Sequence, residues 1–137
     1  MVDWSEKINK AQKDEEERKK RQLANEFEKN RQIRLFVEKE VYPAFDEIQK
    51  KYKGMKFGYH VFKNVVNPSL YNGNKENDNY DWRYEISFIS NNEGIYVQYE
   101  FQKLPGGMIK GEFESAHISL LKMDEIITKF ADLMIQY

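Results

Sequence analysis

The chain has 137 residues, no cysteine, and a net charge of −1 from 22 Lys and Arg against 23 Asp and Glu. A chain of this length fits one domain that buries about two thirds of its unfolded surface, so folding requires neither a disulfide nor a metal. The lack of cysteine excludes thiolate nucleophiles and thiolate metal sites. The balanced charge is far from the strongly basic composition that is typical of nucleic-acid-binding domains.

The first twenty residues are charged and contain no apolar segment of the kind found in a secretory signal peptide. No apolar run in the sequence approaches the length of about 20 residues that a membrane-spanning helix needs. We therefore expect a cytoplasmic protein without a membrane partner. The residue usage, which is rich in Lys, Asn and Tyr, is typical of AT-rich bacterial or phage coding.

A charged helix is predicted to begin at Asp3. Asp3 is a favourable N-cap, and Glu6 three residues later completes a capping box. Residues 14–21 are four acids followed by four bases, so that each acid precedes a base by four residues. At about 0.2–0.5 kcal/mol each, four such ion pairs stabilise a helix by roughly 1–2 kcal/mol without any core. Residues 1–22 are therefore predicted to form a charged, solvated helical extension.

An apolar stripe follows this segment and predicts a single α+β domain over residues 23–137. Its members recur mostly at steps of three or four residues, as on one face of a helix: Leu23, Phe27, Ile33, Phe36, Val37, Val41, Phe45, Ile48 and Tyr52. Pro43 lies inside the stripe and removes one helical hydrogen bond, so we predict a kink or a short break there. Gly54 predicts the end of the helix.

The predicted first helix is too long for its own domain. From Asp3 to Tyr42 it would extend about 60 Å. A compact chain of this length has a diameter of about 37 Å. We therefore expect the first twenty residues to overhang, to fray, to fold back or to contact a partner.

Alternating apolar and polar residues predict four antiparallel strands, which open near residues 57, 82, 95 and 109. The segment 67–80 is predicted to be a polar loop, and Ile89–Ser90 a bulge or a strand end. Asp124 is the predicted N-cap of a final helix. The predicted fold class is α+β, with a long N-terminal helix, a four-stranded antiparallel β-meander and a C-terminal helix, both helices lying on one face of the sheet.

No motif in the sequence predicts an enzyme. His60 and His117 lie in the first predicted strand and just after the last, where we expect structural or surface residues. The loop Asn72–Asn79 carries several side-chain oxygens but lacks the spacing and the closing Glu of a calcium loop. We therefore expect no catalytic residue, no cofactor and no metal site.

The basic run Arg18, Lys19, Lys20 and Arg21 supports an alternative function in nucleic-acid binding, because a row of cations can follow phosphates. Each of these bases has an acid one turn earlier, which weakens the field that the run presents.

The favoured hypothesis is a non-enzymatic protein-interaction or adaptor module that self-associates or docks on a larger partner. The candidate interface residues are Leu23, Phe27, Arg31, Arg34 and Tyr96. Tyr96 would be an aromatic anchor on the polar face of the sheet, where mixed charges can also form cross-strand pairs. A third possibility is a small-ligand cup between the helices and the sheet, lined by aromatic side chains.

Overall fold

The computed structural model describes residues 3–52, 56–62, 65–74, 79–103 and 106–137. The chain divides into two compact units, residues 1–32 (unit 1) and residues 33–137 (unit 2). The division predicted between residues 22 and 23 stays a prediction, since helix α1 runs without a break through both positions.

Helix α1 extends over Trp4–Phe36. Asp3 precedes it and accepts a hydrogen bond from the Ser5 backbone N–H through a side-chain oxygen at 3.0 Å, as an N-cap residue does. The predicted start of the helix is therefore confirmed. Within unit 1, the described side chains are exposed or half-buried, so this part of α1 is stabilised by its own backbone hydrogen bonds and by local side-chain pairs.

A π-helical turn, Val37–Val41, joins α1 to helix α2, Tyr42–Lys51. In this turn the Tyr42 N–H donates to the carbonyl oxygen of Val37, five residues earlier. Pro43 follows directly and occupies the first turn of α2, where a missing N–H costs least. The helix is thus widened to a π-helical turn before Pro43 and is not interrupted, so the predicted short break is not found, and the alternative, a kink, stays a prediction.

Within the described part of the chain, the sheet contains five antiparallel strands in sequence order. They are β1 Lys56–Phe62, β2 Val65–Asn74, β3 Asn79–Asn91, β4 Gly94–Lys103 and β5 Met108–His117. Helix α3, Met123–Gln136, completes the chain. The α+β class, the meander, the long first helix and the last helix are confirmed.

The sheet has one strand more than the four predicted, because β2 occupies most of the segment predicted to be a loop. Leu70 is fully buried, and its neighbours Ser69 and Tyr71 are only 3% and 7% exposed although they point to the opposite face. A strand buried on both faces shows no period-two pattern. Pro68 and the Asn72-Gly73 pair also resemble turn chemistry, although all three lie in β2.

Of the two alternatives predicted at Ile89–Ser90, a bulge or a strand end, the structure has the strand end, since β3 ends at Asn91. There the pairing of β3 with β4 is regular up to Asn91 and Gly94. Shifts of register lie instead at Asn72–Gly73 in β2 and at Tyr96–Gln98 in β4. In both places the longer segment belongs to the partner strand, where Asp81 of β3 is the extra residue in the first and residues 113–116 of β5 lie between the paired positions in the second.

Both helices of unit 2 pack on one face of the sheet, as predicted. The ring of Tyr84 on β3 lies 6.1 Å from Phe45 of α2 and 5.4 Å from Phe130 of α3, measured between ring centroids. The Tyr84 hydroxyl donates to the Ile126 carbonyl oxygen at 3.1 Å. The inward side chains of β3 and β4 complete this core: Trp82, Tyr84, Ile86, Ile95, Val97 and Phe101.

The N-terminus of α3 is capped by a distant residue rather than by the predicted Asp124. Lys122 occupies the N-cap position and makes no side-chain cap hydrogen bond. A carboxylate oxygen of Glu40, on the π-helical turn, accepts a hydrogen bond from the Met123 N–H at 2.8 Å. A negative charge there is favourable, since the helix dipole is positive at this end.

Candidate interaction surface

The two apolar side chains of α1 that were predicted to form an interface are both largely exposed. Leu23 and Phe27 lie one helical turn apart and are 66% and 71% exposed. Nearer the N-terminus, Trp4 and Ile8 are 70% and 49% exposed. The predicted apolar stripe is thus divided: from Ile33 to Ile48 it is in the core of unit 2, whereas its first two members are in solvent.

The charged segment 14–21 presents its side chains to solvent. Of the four predicted ion pairs, the structure contains Glu15 with Lys19, at 3.9 Å between carboxylate oxygen and ammonium nitrogen. No other ion pair within residues 14–21, all of which are described, is found. Arg18, Lys20 and Arg21, the other predicted phosphate contacts, are exposed. The segment therefore keeps charges of both signs available to a partner.

Arg31 and Arg34 differ in how far they are held by neighbours. The Arg31 guanidinium donates two hydrogen bonds to Glu28, at 3.0 and 2.7 Å. This pairing lowers the pKa of Glu28, with a smaller contribution from Gln32, and raises the pKa of Arg31. Arg34 is exposed and belongs to unit 2. The orientation of the Arg31 guanidinium is therefore fixed by Glu28, and Arg34 takes no part in this ion pair.

A largely buried ion-pair network lies on the sheet face opposite the helices. Arg83 contacts Glu85 at 3.2 Å and Glu100 at 3.5 Å, and Lys110 contacts Glu100 at 3.1 Å. Glu85 and Glu100 are directly opposite in the pairing of β3 with β4. Because like charges in that position repel, the two cations stabilise this part of the sheet. Cross-strand pairs, which the mixed charges made possible, are thus present: Arg83 and Glu100 are largely buried, whereas Lys110 is exposed.

Tyr96 is held by neighbours within unit 2. Its hydroxyl donates to Glu93 at 3.4 Å, and its ring lies edge-on to His117 at 5.3 Å between centroids. It is half-buried. Tyr96 therefore belongs to the turn region of β3 and β4, and the structure does not bring it together with Leu23 and Phe27 in one unit.

His117 has a structural role in the turn before α3. Its Nδ1 accepts a hydrogen bond from the Ser119 N–H at 3.1 Å and lies 2.7 Å from the Ser119 hydroxyl. Gly94, with φ of +139°, lies so close to the His117 ring that an added Cβ would be 2.5 Å from Nε2. On the backbone, His60 lies in β1 and His117 in β5, at opposite edges of the sheet. The two histidines therefore do not form a common site.

A groove of about 460 Å³ lies at the end of the β4–β5 hairpin, beside the last residue of the chain. Phe101, Met108, Ile109 and Tyr137 are among its lining residues. It is at the rim of the sheet. The space between helices and sheet, where a ligand cup was predicted, contains the packed rings of Phe45, Tyr84 and Phe130.

Among the described residues, no three His, Asp or Glu side chains form a group that could hold a metal ion. The loop compared with a calcium site includes residues 75–78, which lie outside the described residues. Of the helices in the described part of the chain, none has the length and apolar character needed to cross a membrane. Comparisons with protein-family models, with curated proteins and with solved structures found no match.

Proposed function

We propose that this chain is a non-enzymatic protein-interaction module that self-associates through helix α1. The observation that supports the proposal best is the exposure of Leu23 and Phe27, 66% and 71%, within the part of α1 that is mostly charged or polar. Burying a Leu or Phe side chain stabilises an interface by roughly 1.5–3 kcal/mol. Two such residues one turn apart therefore favour association strongly enough to be measured.

The exposed pair has no structural role that would explain it. Unit 1 contains no buried residue among residues 3–32, which the structure describes, so neither side chain contributes to a core there. Seventeen of the 32 residues of unit 1 are charged, which keeps the helix in water and limits the apolar surface to a few positions. A localised apolar patch within a polar surround is typical of a protein-binding surface.

Sedimentation equilibrium of the full chain tests this proposal. We expect a mass that rises from monomer to dimer with concentration, and a dissociation constant at least about tenfold higher for the Leu23→Ser/Phe27→Ser variant. Leu120→Ser is the matched control, because Leu120 is 63% exposed in unit 2 and should leave association unchanged. A monomer at every concentration, or a dimer that tolerates the double substitution, would contradict the proposal.

Nucleic-acid binding is the second candidate, supported by the exposure of Arg18, Lys19, Lys20 and Arg21. Residues 14–21 contain as many acids as bases, so their summed charge is zero. Phosphate binding would show as affinity for a duplex that falls steeply with salt. The third candidate, a small-ligand cup between the helices and the sheet, has less support, because the rings of Phe45, Tyr84 and Phe130 are packed in that space.

A further inference from the structure

Eight positions of α1 form one face with an eleven-residue repeat. Their separations are 3, 4, 4, 3, 4, 4 and 3 residues, and at 3.6 residues per turn they fall within a sector of about 100°. An eleven-residue spacing keeps such a face almost straight along the helix. We call it the pairing face, and its members are Ser5, Ile8, Gln12, Glu16, Lys19, Leu23, Phe27 and Asn30.

The pairing face is symmetric about the midpoint between Glu17 and Arg18. Its outermost members, Ser5 and Asn30, are equally far from that midpoint, and the same holds for each successive pair moving inward. These pairs are Ile8 with Phe27, Gln12 with Leu23, and Glu16 with Lys19. A second copy of α1, running antiparallel about a two-fold axis at the midpoint, therefore places each member opposite its counterpart.

The charges distinguish this arrangement from its parallel alternative. In the antiparallel pair, Glu16 of each copy lies opposite Lys19 of the other, so that two attractive contacts form beside the axis. In a parallel pair in register, Glu16 would face Glu16 and Lys19 would face Lys19. More widely, the four acids of residues 14–17 would lie along the four acids of the partner. The order of acids and bases thus favours a second copy in the antiparallel orientation.

Two of the three apolar members of the face, Ile8 and Phe27, find an apolar partner in this register, whereas Leu23 lies opposite Gln12. Ile8, 49% exposed, lies opposite Phe27, 71% exposed, and the symmetry repeats this contact at the other end of the pair. Trp4, the first residue of α1, falls opposite Arg31, so the paired region remains inside unit 1. The register therefore uses nearly the full length of the helix in that unit.

We infer that two copies of the chain pair through α1 as an antiparallel helix dimer, centred between Glu17 and Arg18. This inference rests on the proposed function and specifies its partner and geometry. Three features carry it: the self-symmetric repeat, the charge order of residues 14–21, and the exposure of Ile8, Leu23 and Phe27.

Disulfide trapping tests the orientation directly, because the full chain has no cysteine of its own. An equimolar mixture of Ser5→Cys and Asn30→Cys chains should yield the mixed disulfide as the main cross-linked product. Neither variant alone should cross-link efficiently. Lys7→Cys mixed with Glu28→Cys is the matched control, because these positions have the same register but lie on the far side of the helix. Control chains should remain uncross-linked.

Charge exchange tests the centre of the pair at low ionic strength. Glu16→Lys places two lysines opposite each other twice per dimer, and we expect its dissociation constant to rise about tenfold. Lys19→Glu should have the same effect. The double variant Glu16→Lys/Lys19→Glu restores opposite charges in every contact, so its dissociation constant should return to within about threefold of the original. Circular dichroism of each variant checks that helix content is kept.

The outcomes separate this inference from the proposed function. Suppose that the dimer depends on Leu23 and Phe27, but that Ser5→Cys and Asn30→Cys chains each cross-link with their own kind rather than with each other. That result would overturn the antiparallel pairing and keep the proposed function. A dimer that is insensitive to Glu16→Lys would overturn the assigned centre. A chain that is monomeric at every concentration would overturn both. Mixed disulfides together with rescue by the double charge exchange would support the pairing.

Discussion

Unit 1 and unit 2 are stabilised by interactions of different range. In unit 1 the side-chain ion pairs join residues three or four apart, such as Arg31 with Glu28. In unit 2 the Tyr84 hydroxyl donates a hydrogen bond to the Ile126 carbonyl oxygen, 42 residues away in the sequence. The Glu40 carboxylate accepts a hydrogen bond from the Met123 N–H, 83 residues away. A segment stabilised locally does not need its apolar side chains for folding. This leaves those of α1 available for binding.

Substitution of one phenylalanine in each unit should show this difference most clearly. Phe130 is 1% exposed and packs against Trp82 at 5.1 Å between ring centroids. Phe130→Ala should lower the free energy of unfolding by about 3–5 kcal/mol through lost burial and the cavity left behind. Phe27→Ala, at a position 71% exposed, should change it by less than about 0.5 kcal/mol.

Urea denaturation at a protein concentration below the dimer dissociation constant measures both free energies for the monomer. Phe27→Ala should still weaken association in sedimentation experiments. A loss above about 1 kcal/mol for the monomeric Phe27→Ala variant would mean that Phe27 packs inside the fold, and the contrast between the units would fail.

The ion pairs within unit 2 should likewise differ according to how deeply their side chains are buried. Arg83 is 13% exposed at its side chain and separates Glu85 from Glu100. Arg83→Ala should lower the free energy of unfolding by about 2–3 kcal/mol, because it leaves two carboxylates opposed at low exposure. Lys110→Ala is the control: the Lys110 side chain is 65% exposed, so its loss should cost less than about 1 kcal/mol. Equal effects in urea denaturation would show that burial does not govern this network.

Sequence patterns were sufficient where structure is local or one-sided. The cap at Asp3, the helix from Trp4 and the inward faces of β3 and β4 follow from spacing alone. Leu23 and Phe27 carried the right periodicity, but the pattern did not show that they leave the core while Ile33 enters it. Periodicity identifies a face of a helix; it does not identify what that face contacts.

Sequence patterns failed where the determinant is distant in the chain. Glu40 caps α3 from the π-helical turn, and no local motif connects it with Met123. Ser69 and Tyr71 are buried on the face opposite the helices, so β2 had no alternation to detect. The Arg83 network was suggested by mixed charges, yet its depth depends on the register between strands, which the sequence leaves open.

The smallest expected effect concerns Tyr84, whose hydroxyl is buried in the core. Burial raises the pKa of Tyr84 well above its usual value, with smaller contributions from Tyr99 and Glu125. The folded state therefore favours the neutral phenol. The neutral Tyr84 hydroxyl contributes fully to stability below a pH of about 10, which is the pKa of tyrosine in the unfolded chain. This contribution is lost as the pH rises above that value.

The variant Tyr84→Phe separates the effect of Tyr84 on the pH dependence of stability from the effects of the other tyrosines. At neutral pH the variant loses one buried hydrogen bond to Ile126, and we expect a cost of about 1 kcal/mol in urea denaturation. Above a pH of about 10, Tyr84 of the original chain ionises when the chain unfolds, and this ionisation stabilises the unfolded state. The variant has no hydroxyl at this position, so its unfolded state is not stabilised in this way. The difference between the two should therefore shrink with rising pH and then reverse. A difference that stays constant from neutral to alkaline pH would show that Tyr84 ionises as readily in the folded chain as in the unfolded one.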